Sequence, residues 1–392
     1  MSFSHGGWSY MQPNQGIFNL LRAILRRNPL NPIGAGAMPV EEVQDWPYFV
    51  ALVERHRITP LCYAVLKGTG AQLPREAETM LARANERHCL LNVARTAELL
   101  GVMQTFHEAG IEAMPLKGVA LSAQIYGDYT LRAAGDLDLL IRWEDLQAAK
   151  AIIQARGYRL TTPLRPDGRP IADGLYEYHF DRPSDGMILE LHWNLNFVHP
   201  SFPHSIGIET IGQSSQAVQI AGREVRVPEA ETMLQLLCMH GTKHQWSRLS
   251  WVCDVAQLIR ISPNLDWYRI KAGARDTGLR KSVALGLMLA NSLCDATCPA
   301  GVIRELDSFP SVQTVADRLV QEIPDSDENQ WHGFLGFHAR LMDRPDLLRF
   351  IFSRDTMRPT SNDEEFLSLP PSLRWLHVLI RPFRLLMDRS AR

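Results

Sequence analysis

The chain has 392 residues, of which 45% are hydrophobic and 21% are charged, and its formal net charge is −2. This length predicts two or three domains at about 100–200 residues each, and the composition is ordinary for a globular protein with a sizeable core. Because positive and negative charges balance, we expect no general attraction to nucleic acid or to an anionic membrane, and long nucleic acid is disfavoured as a partner.

The cysteines and the hydropathy exclude further classes. The six cysteines are scattered, without a CxxC pair or the spacing of a zinc site. We therefore expect reduced thiols in a cytoplasmic protein. No secretory signal is expected, and no apolar run approaches the roughly 20 residues needed to span a bilayer, so no transmembrane segment is predicted.

The N-terminal part is predicted to be helical after a loose beginning. Residues 1–45 mix Gly, Pro, Asn and Gln around one short amphipathic stretch at 16–27, and we expect a loosely ordered arm there. Residues 46–110 are predicted to form an N-terminal helical region. Its clearest helix covers 92–110, where apolar residues recur at helical spacing and Gly110 is a suitable stop.

Residues 111–227 are predicted to form a mixed core. Strands are predicted at 111–116, 136–141, 158–160, 176–180 and 187–193, helices at 118–126 and 143–156, and a hairpin at 218–227. The hairpin is expected to turn at Ala221 and Gly222. Because strands and helices alternate over short distances, the expected fold class is α+β, with a small mixed β-sheet flanked by helices.

Residues 228–392 are predicted to form a C-terminal helical domain. Helical periodicity covers 232–244, 251–261, 264–290 and 313–323. Pro228 and Glu229 suit the start of the first of these helices, and Asn264 is expected to cap the third.

The strongest chemical signal is the pair Asp136 and Asp138, which flanks Leu137. Side chains alternate faces along a strand, so the two carboxylates point the same way, about 6–7 Å apart. They repel each other unless a cation lies between them, and a magnesium ion that also binds phosphate oxygens and waters fits this geometry. The alternative is a pair of aspartates on a solvent-facing edge strand, because the DxD pattern alone is common.

Two basic features near this pair support the metal interpretation. Lys117 and Gly118 lie where a predicted strand runs into a helix, so backbone N–H groups and a helix N-terminus could hold a phosphate there. The alternative is an ordinary strand-to-helix turn with a surface lysine. Arg132, four residues before Asp136, can pair with a phosphate or simply with a carboxylate.

A third carboxylate lies on a later predicted strand. Glu190 and His192 face away from the apolar side of that strand, and Glu190 would complete the carboxylate set of a two-metal site. The alternative is a lone glutamate on a half-exposed strand. On a predicted helix, His240 and His244 lack the pattern of a zinc protease; with Lys243 they line a cleft, or they are ordinary surface or core histidines.

A resemblance to a known family is carried by the runs LKGVALSAQIYGDYTLRAAGDLDLLI and LELHWNL, with a helix ending in RGY between them. These runs resemble the nucleotidyltransferase superfamily of DNA polymerase β type. The closest resemblance is to a bacterial branch, the uncharacterised nucleotidyltransferase family. It covers about residues 92–196, and a weaker match in MLQLLCMHGTKHQWSRLSWVCDVAQLI extends it to about residue 259.

The resemblance implies a small mixed sheet flanked by helices, with a helical domain that closes the other side of a cleft. It implies transfer of a nucleoside monophosphate from an NTP, with release of pyrophosphate and with two Mg²⁺ ions, for which Mn²⁺ can substitute. Asp136 and Asp138 match the paired metal ligands. Glu190 matches the third carboxylate, which would bind one metal and help to deprotonate an acceptor hydroxyl. Gly118 matches the glycine of the phosphate loop, although Val119 follows it where the superfamily commonly has Ser or Gly.

We therefore expect Asp136, Asp138 and Glu190 to be the catalytic and metal-binding residues. The expected nucleotide- and phosphate-binding residues are Lys117, Gly118, Arg132, His192 and Lys243. The acceptor hydroxyl or phosphate is expected on a small molecule, a peptide or a protein. The alternatives are a catalytically weak nucleotide-binding regulator or scaffold of the same fold, and a toxin-like enzyme that adds AMP to a protein or RNA.

Overall fold

The computed structural model describes residues 15–32, 37–164, 176–195, 207–212, 214–306, 308–325, 334–341 and 366–381. Its helices are α1 (Gln15–Leu25), α2 (Trp46–Arg55), α3 (Thr59–Gly68), α4 (Arg75–Glu108), α5 (Gly118–Tyr126), α6 (Leu146–Ala155), α7 (Ile208–Gly212), α8 (Ala230–Lys243), α9 (Leu249–Ile261), α10 (Trp267–Asp276), α11 (Arg280–Cys294), α12 (Ala300–Leu306), α13 (Pro310–Glu322) and α14 (Phe334–Leu341). Its strands are β1 (Ala113–Pro115), β2 (Leu137–Ile141), β3 (Arg159–Leu160), β4 (Glu177–Arg182), β5 (Met187–His192), β6 (Ser215–Ile220) and β7 (Arg223–Pro228). Short 3-10 helices cover Val40–Glu42, Trp143–Asp145, Ile323–Asp325 and Pro371–Leu376. Among these residues, no helix has an apolar stretch long enough to cross a membrane.

Five of the described strands form one mixed sheet in the order β1-β2-β5-β4-β3. β2 and β5 are parallel, whereas the other neighbouring pairs are antiparallel. β6 and β7 form a separate hairpin, and its turn residues Ala221 and Gly222 both have positive φ, as a tight two-residue turn of this kind requires. The predicted α+β class, with a small mixed sheet flanked by helices, is confirmed.

Helix α5 lies between two hydrophobic cores, which is why almost all of its residues are buried. Leu121 and Ile125 pack in the helical core, which α1, α2, α3, α8, α9 and α11 largely form. Val119 and Ala123 pack in the sheet core with apolar residues of β2, β4 and β5. Because both sides of α5 are packed against buried side chains, its first residue, Gly118, has a fixed position beside the start of β2.

The N-terminal segment is more ordered than the sequence analysis expected. Helix α1 buries Phe18, Leu21 and Ile24 in the helical core, and it contacts α3 and α11. The expectation of a loosely ordered arm therefore does not hold for α1, because the apolar side of its amphipathic stretch is covered by other helices. Residues 1–14 of the expected arm lie outside the described residues.

The C-terminal helices depart from the prediction at one place. The predicted helix at 264–290 is two helices, α10 and α11, with Gly278 between them at a φ of 74°. A left-handed residue ends an α-helix, and apolar periodicity alone does not reveal such a break. The N-cap of α10 is Asp266, whose carboxylate accepts a hydrogen bond from the backbone N–H of Arg269, rather than the expected Asn264.

The predicted elements around the acidic pair agree closely with the structure. The helix predicted at 118–126 is α5, and the predicted stop at Gly110 follows α4 with a φ of 73°. Strand β2 begins at Leu137, one residue later than predicted. Asp136 therefore lies immediately before the strand, and Asp138 lies within it.

A single tryptophan fixes the connection between α8 and α9. Gln245 and Trp246 both have positive φ, and Trp246 is fully buried. Its ring occupies space that two glycines leave free, because a Cβ at Gly241 would lie 2.7 Å from ring atoms and a Cβ at Gly286 would lie 3.1 Å from the ring. The tight turn therefore depends on small residues in α8 and α11.

Replacement of Gly241 by alanine is expected to destabilise the protein by about 1–3 kcal/mol, because the added methyl group overlaps the Trp246 ring. Chemical unfolding measures the loss. The matched control is Gly301→Ala in α12, where a Cβ has no neighbour within 4 Å and alanine is the better helix former, so its stability should be unchanged or slightly higher. Equal stability of the Gly241 variant and the wild type would contradict this account of the turn.

Candidate functional site

A cavity of about 330 Å³ lies where the sheet meets α8, α9 and the loop that follows α2. Its lining contains the carboxylates Asp136, Asp138, Glu177 and Glu190, the cationic side chains Arg57, Lys117, Arg132, Lys243 and Arg248, and the imidazoles of His179, His192, His240 and His244. Of the site residues expected from the sequence, all except Gly118 line this cavity. The sheet thus supplies most of the acids, and helices and loops supply most of the cations.

The strand register brings the acidic groups side by side. Asp138 on β2 pairs with Glu190 on β5, and Glu190 pairs with His179 on β4. In the next row of this face, His192 pairs with Glu177. Directly paired residues project from the same face of a sheet, so these five side chains form one polar surface at the cavity.

His192, a buried member of this polar surface, contacts three carboxylates. Its Nε2 lies 3.3 Å from Asp138 Oδ1 and 3.5 Å from Glu190 Oε2. Its Nδ1 lies 3.0 Å from Glu177 Oε2, although this contact is not aligned as a hydrogen bond. Burial alone would lower the pKa of His192, but the three carboxylates raise it well above its ordinary value, so the imidazole is a cation at neutral pH. With its side chain only 3% exposed, His192 is better placed to hold the carboxylates than to make the predicted phosphate contact.

His179 links the two glutamates at the cavity edge. Its Nε2 lies 3.2 Å from Glu177 Oε1 and its Nδ1 lies 3.2 Å from Glu190 Oε1. Bonds to both carboxylates raise the pKa of His179 to about 9. Burial alone would raise the pKa of Glu190, but the bonds from His179 and His192 and the charge of Lys117 hold it well below its usual range.

Lys117 and Gly118 join the acidic pair to the start of α5. The Lys117 Nζ lies 2.9 Å from Asp138 Oδ1, and the backbone N–H of Leu116 donates to the carbonyl of Asp138 at 3.1 Å. Gly118 has a φ of 60°, and a Cβ there would lie 3.0 Å from the carbonyl oxygen of Asp136, so a glycine suits this close approach. The positive end of the α5 dipole is consequently held beside the carboxylates.

The two aspartates have different charge environments. Burial and the negative charge of Asp138 raise the pKa of Asp136 to about 6. Burial would also raise the pKa of Asp138, but the Lys117 charge and the bond from His192 lower it. Asp138 is therefore ionised at neutral pH, whereas Asp136 is in a site that favours either a proton or an added positive charge.

The donor atoms fit a hard divalent cation. One ligand atom each of Asp138, Glu190 and His192 lies within 4.8 Å of the other two, and Asp138 Oδ2 is buried without a hydrogen-bond partner among the described residues. Mg²⁺ and Mn²⁺ prefer carboxylate oxygens, so the two carboxylates and the nearby Asp136 are the better ligands. The protonated His192 contacts Asp138 and Glu190 and holds both carboxylates in place. The metal set predicted from the sequence contains Asp136 but not His192, whereas the tight cluster in the structure contains His192 instead of Asp136.

Arg132 has a carboxylate partner. Its Nε lies 3.0 Å from Asp254 Oδ1 and 2.9 Å from Oδ2, and both side chains are buried. Asp254 is on α9 and Arg132 precedes β2, so this ion pair fastens the helical domain to the sheet. Of the two roles that the sequence left open for Arg132, the contact supports pairing with a carboxylate, and phosphate binding stays a prediction.

Helices α8 and α9 contribute an aromatic and basic wall. The His240 and His244 rings lie 4.7 Å apart between centroids, and each lies 5.3 Å from Trp251. Burial, with the charges of Lys243 and Lys117, lowers the pKa of His244 to about 3, so the imidazole is neutral at physiological pH. The Lys243 Nζ lies 3.9 Å from Glu177 Oε1 and lines the cavity. Neutral rings beside ammonium groups form a surface that suits a planar base and a phosphate.

A buried histidine joins α2 to α9 next to the cavity. The backbone N–H of Leu249 donates to His56 Nδ1 at 3.3 Å, and His56 Nε2 lies 3.2 Å from the carbonyl of Pro324. Nδ1 is therefore the acceptor and Nε2 the donor. The next residue, Arg57, lines the cavity and is held beside Gly135, where a Cβ would overlap its guanidinium.

Glu177, His179 and Arg57 line the cavity but were not predicted from the sequence. A usable signal existed for the first two, because Glu177 and His179 have the same Glu-x-His spacing as Glu190 and His192 on another predicted strand. In an antiparallel pair, this spacing allows each glutamate to lie opposite a histidine, as the structure shows. Arg57 had no such signal, because it is brought to the site by helix packing far along the chain.

Comparison with protein families locates the chain among known proteins. A model of the family described as uncharacterised nucleotidyltransferase matches residues 42–295. The chain belongs to this family. The matched range includes all of the residues that line the cavity. The resemblance found in the sequence is thereby confirmed. Membership of this family supports nucleotidyl transfer in general.

Solved structures also show similarity, although a comparison with curated proteins found no match. The chain is similar to the antibiotic-resistance factor ANT(2'')-Ia, known from a solution structure, with 16% identity over 47% of this chain and 93% of that chain and a TM-score of 0.34. It is also similar to an antigenic nucleotidyltransferase-like protein from Paracoccidioides brasiliensis, with 16% identity over 54% of this chain and 96% of that chain and a TM-score of 0.32. The assignment to the family rests on the family model.

Replacement of Asp254 by alanine is expected to cost about 3–5 kcal/mol, because it leaves the buried guanidinium of Arg132 without its carboxylate. The double variant Arg132→Met with Asp254→Leu should recover much of the loss, since no unpaired charge remains. Urea unfolding of both variants checks this. An Asp254→Ala protein as stable as the wild type would show that the pair does not join the helical domain to the sheet.

Acid is expected to destabilise the protein partly through His244. Its pKa is depressed to about 3 in the folded protein, so below an ordinary value near 6.5 the unfolded chain binds a proton that the folded protein does not. The contribution of neutral His244 to the free energy of unfolding is therefore fully present above pH 6.5 and is lost as the pH falls towards 3. Between pH 7 and pH 5 the wild type should lose about 2 kcal/mol more than His244→Gln, as measured by urea unfolding at both values. Equal losses would show that His244 is not held neutral.

Proposed function

We propose that this chain is a metal-dependent nucleotidyltransferase that moves a nucleoside monophosphate from an NTP to a hydroxyl or phosphate of an acceptor and releases pyrophosphate. The observation that carries the proposal is the direct pairing of Asp138 with Glu190 on adjacent parallel strands, with Asp136 immediately before β2. This acidic surface lines a cavity that also contains ammonium, guanidinium and imidazole groups. Membership of the nucleotidyltransferase family agrees with the proposal.

The proposed metal ligands are Asp136, Asp138 and Glu190. Two Mg²⁺ ions, or Mn²⁺ in their place, would supply neutralisation of phosphate charge and activation of the acceptor oxygen. Support comes from Asp138 Oδ2, a buried acceptor without a hydrogen-bond partner among the described residues, and from the raised pKa of Asp136. His192 and His179 act as positioning residues, because their bonds hold Glu190 ionised and in place.

The nucleotide would lie between the sheet and α8. Lys117 and the N-terminus of α5 at Gly118 are proposed to bind phosphate oxygens, since both lie beside the aspartates. Lys243 lines the opposite wall and supplies a second ammonium group. His244 and Trp251 offer aromatic faces to the base. The acceptor, a small molecule, peptide or protein, would approach from the Glu190 side.

The proposed reaction is an in-line displacement at the α-phosphorus. The acceptor oxygen forms a bond to this phosphorus while the bond to the bridging oxygen of the β-phosphate breaks, and pyrophosphate leaves with the bonding electron pair. The acceptor proton passes to a carboxylate, for which Glu190 is the proposed group. Lys117 and Lys243 stabilise the charge that collects on the leaving pyrophosphate.

A second candidate function is a nucleotide-binding regulator or scaffold with weak or no catalysis. It is favoured by Val119, whose side chain packs in the sheet core and is 1% exposed. The position after Gly118 therefore offers no hydroxyl to a phosphate. Binding of NTP without pyrophosphate release across a broad acceptor panel would favour this function over the enzyme.

Pyrophosphate release tests the enzyme directly. With each NTP, Mg²⁺ and a cell extract as the source of acceptor, the wild type should release pyrophosphate, and Asp136→Ala and Asp138→Asn should each lower the rate by about 100-fold or more. The matched control is Asp145→Asn, which alters an aspartate outside the cavity lining and should leave the rate unchanged. A rate that survives both site substitutions would remove the proposed mechanism.

Metal binding gives an independent test that needs no acceptor. Titration with Mn²⁺, followed by the electron paramagnetic resonance signal of the free ion, should show binding that Asp138→Asn and Glu190→Gln weaken by at least tenfold. Asp145→Asn should bind Mn²⁺ as the wild type does. If both site variants retain full affinity, the acidic surface is not a metal site.

A further inference from the structure

A second group of basic side chains lies near the segment that leads to Asp136. Arg57 follows α2, and His88 and Arg95 lie on α4, seven residues apart on one side of the helix. Between them, the Asn92 amide donates to the carbonyls of Tyr129 and Arg132 at 2.9 Å and 2.7 Å. This side of α4 therefore packs against the loop that leads to Asp136.

Arg95 and His88 carry buried donor atoms that lack partners in the part of the chain that the structure describes. Arg95 Nε and Nη1 and His88 Nε2 are inaccessible to solvent, and none has a hydrogen-bond partner among the described residues. Burial lowers the pKa of His88, and the positive charges of Arg87, Arg95 and Arg57 lower it further, opposed by Glu54. Glu54 itself is paired with Arg87, so the surroundings of His88 are rich in positive charge.

Arg57 connects this group to the cavity. Its guanidinium lines the cavity and lies against Gly135, where a side chain would overlap it. Its backbone has a φ of 55°, a left-handed conformation that costs energy for a residue with a side chain. Asp136 is the acidic neighbour whose charge acts on Arg95, and it is itself needed for the proposed metal site.

Buried guanidinium donors without hydrogen-bond partners are costly, and a role confined to packing would favour an apolar residue or a hydrogen-bonded carboxylate partner at position 95. The cost is offset when an anion completes the hydrogen bonds of the guanidinium. Phosphate suits this geometry, because a guanidinium binds its oxygens through two parallel N–H groups. Asp136, whose charge acts on Arg95, lines the cavity, which links these donors to the proposed site.

We propose that Arg57, His88 and Arg95 form a subsite for a phosphate-sized anion beside Asp136. The subsite rests on the proposed function, in which this anion is either the terminal part of the NTP or an anionic group on the acceptor. In both cases the bound anion lies next to the carboxylates without occupying the positions of Lys117 and Lys243. The subsite would thus admit a ligand whose negative charge extends beyond the α-phosphate.

Calorimetric titration compares the wild type with Arg95→Gln. The control is Arg83→Gln, which removes an exposed arginine from the same helix. In metal-free buffer, inorganic phosphate and tripolyphosphate should bind Arg95→Gln about tenfold to 100-fold more weakly than the wild type, and Arg83→Gln should match the wild type. His88→Gln should show a smaller loss in the same direction.

Two further titrations distinguish the sources of the anion. If the subsite holds the nucleotide tail, Arg95→Gln should weaken Mg²⁺-dependent binding of NTP but not of NMP. If it holds the acceptor, NTP affinity should be retained, and inorganic phosphate should bind the wild type saturated with a non-hydrolysable NTP analogue but not the variant. Equal binding of every anion by wild type and Arg95→Gln would overturn the proposal.

Stability provides a check on folding and on the proposed function. Arg95→Gln removes a half-buried charge whose Nε and Nη1 have no hydrogen-bond partner among the described residues, so its melting temperature should equal or exceed that of the wild type, and phosphate should raise the wild-type value more. These readouts need no turnover. A wild type that binds phosphate through Arg95 but releases no pyrophosphate would refute the enzyme and leave the anion subsite standing.

Discussion

The site depends on charge compensation among side chains that are largely withdrawn from water. Asp138, Glu190 and Glu177 lie on neighbouring strands, and three ionised carboxylates this close would repel one another strongly in a medium of low dielectric constant. His192 contacts all three, while His179 bridges the glutamates and Lys117 binds Asp138. The protein thereby keeps the acids ionised before any ligand arrives. Preformed ligands of this kind lower the cost of binding a cation, because little has to be reorganised.

Charge compensation is uneven across the acidic surface, so the two aspartates have different charge environments. Lys117 and His192 both approach Oδ1 of Asp138, so Oδ2 is the oxygen left for a further cation. Asp136 has no comparable ion pair within the described part of the chain, and its pKa of about 6 means that a proton competes for it near neutral pH. The surrounding arginines and lysines supply a diffuse positive field at the cavity without neutralising these carboxylates completely.

Local sequence patterns predicted much of the fold and the acidic centre of the site. The alternation in Asp136–Ile141 and in the Glu190 strand predicted which side chains share a face, and the glycine after Lys117 predicted the start of α5. What could not be predicted came from contacts between distant segments. Nothing local indicates that Arg132 meets Asp254 on α9, that His56 carries Arg57 to the cavity, or that α1 is buried partly by the distant helix α11. Periodicity also joined α10 to α11, because a single left-handed glycine interrupts a helix without changing its apolar spacing.

The reciprocal arrangement of Glu177 with His192 and of His179 with Glu190 has a consequence for how the strands choose their alignment. A shift of two residues in one direction would set Glu177 opposite Glu190, and a shift in the other would set His179 opposite His192. A shift of one residue would turn the polar groups into the sheet core. Each misalignment therefore brings like charges together or buries them among apolar side chains, so the same four residues that shape the site also discriminate against wrongly paired β4 and β5 during folding.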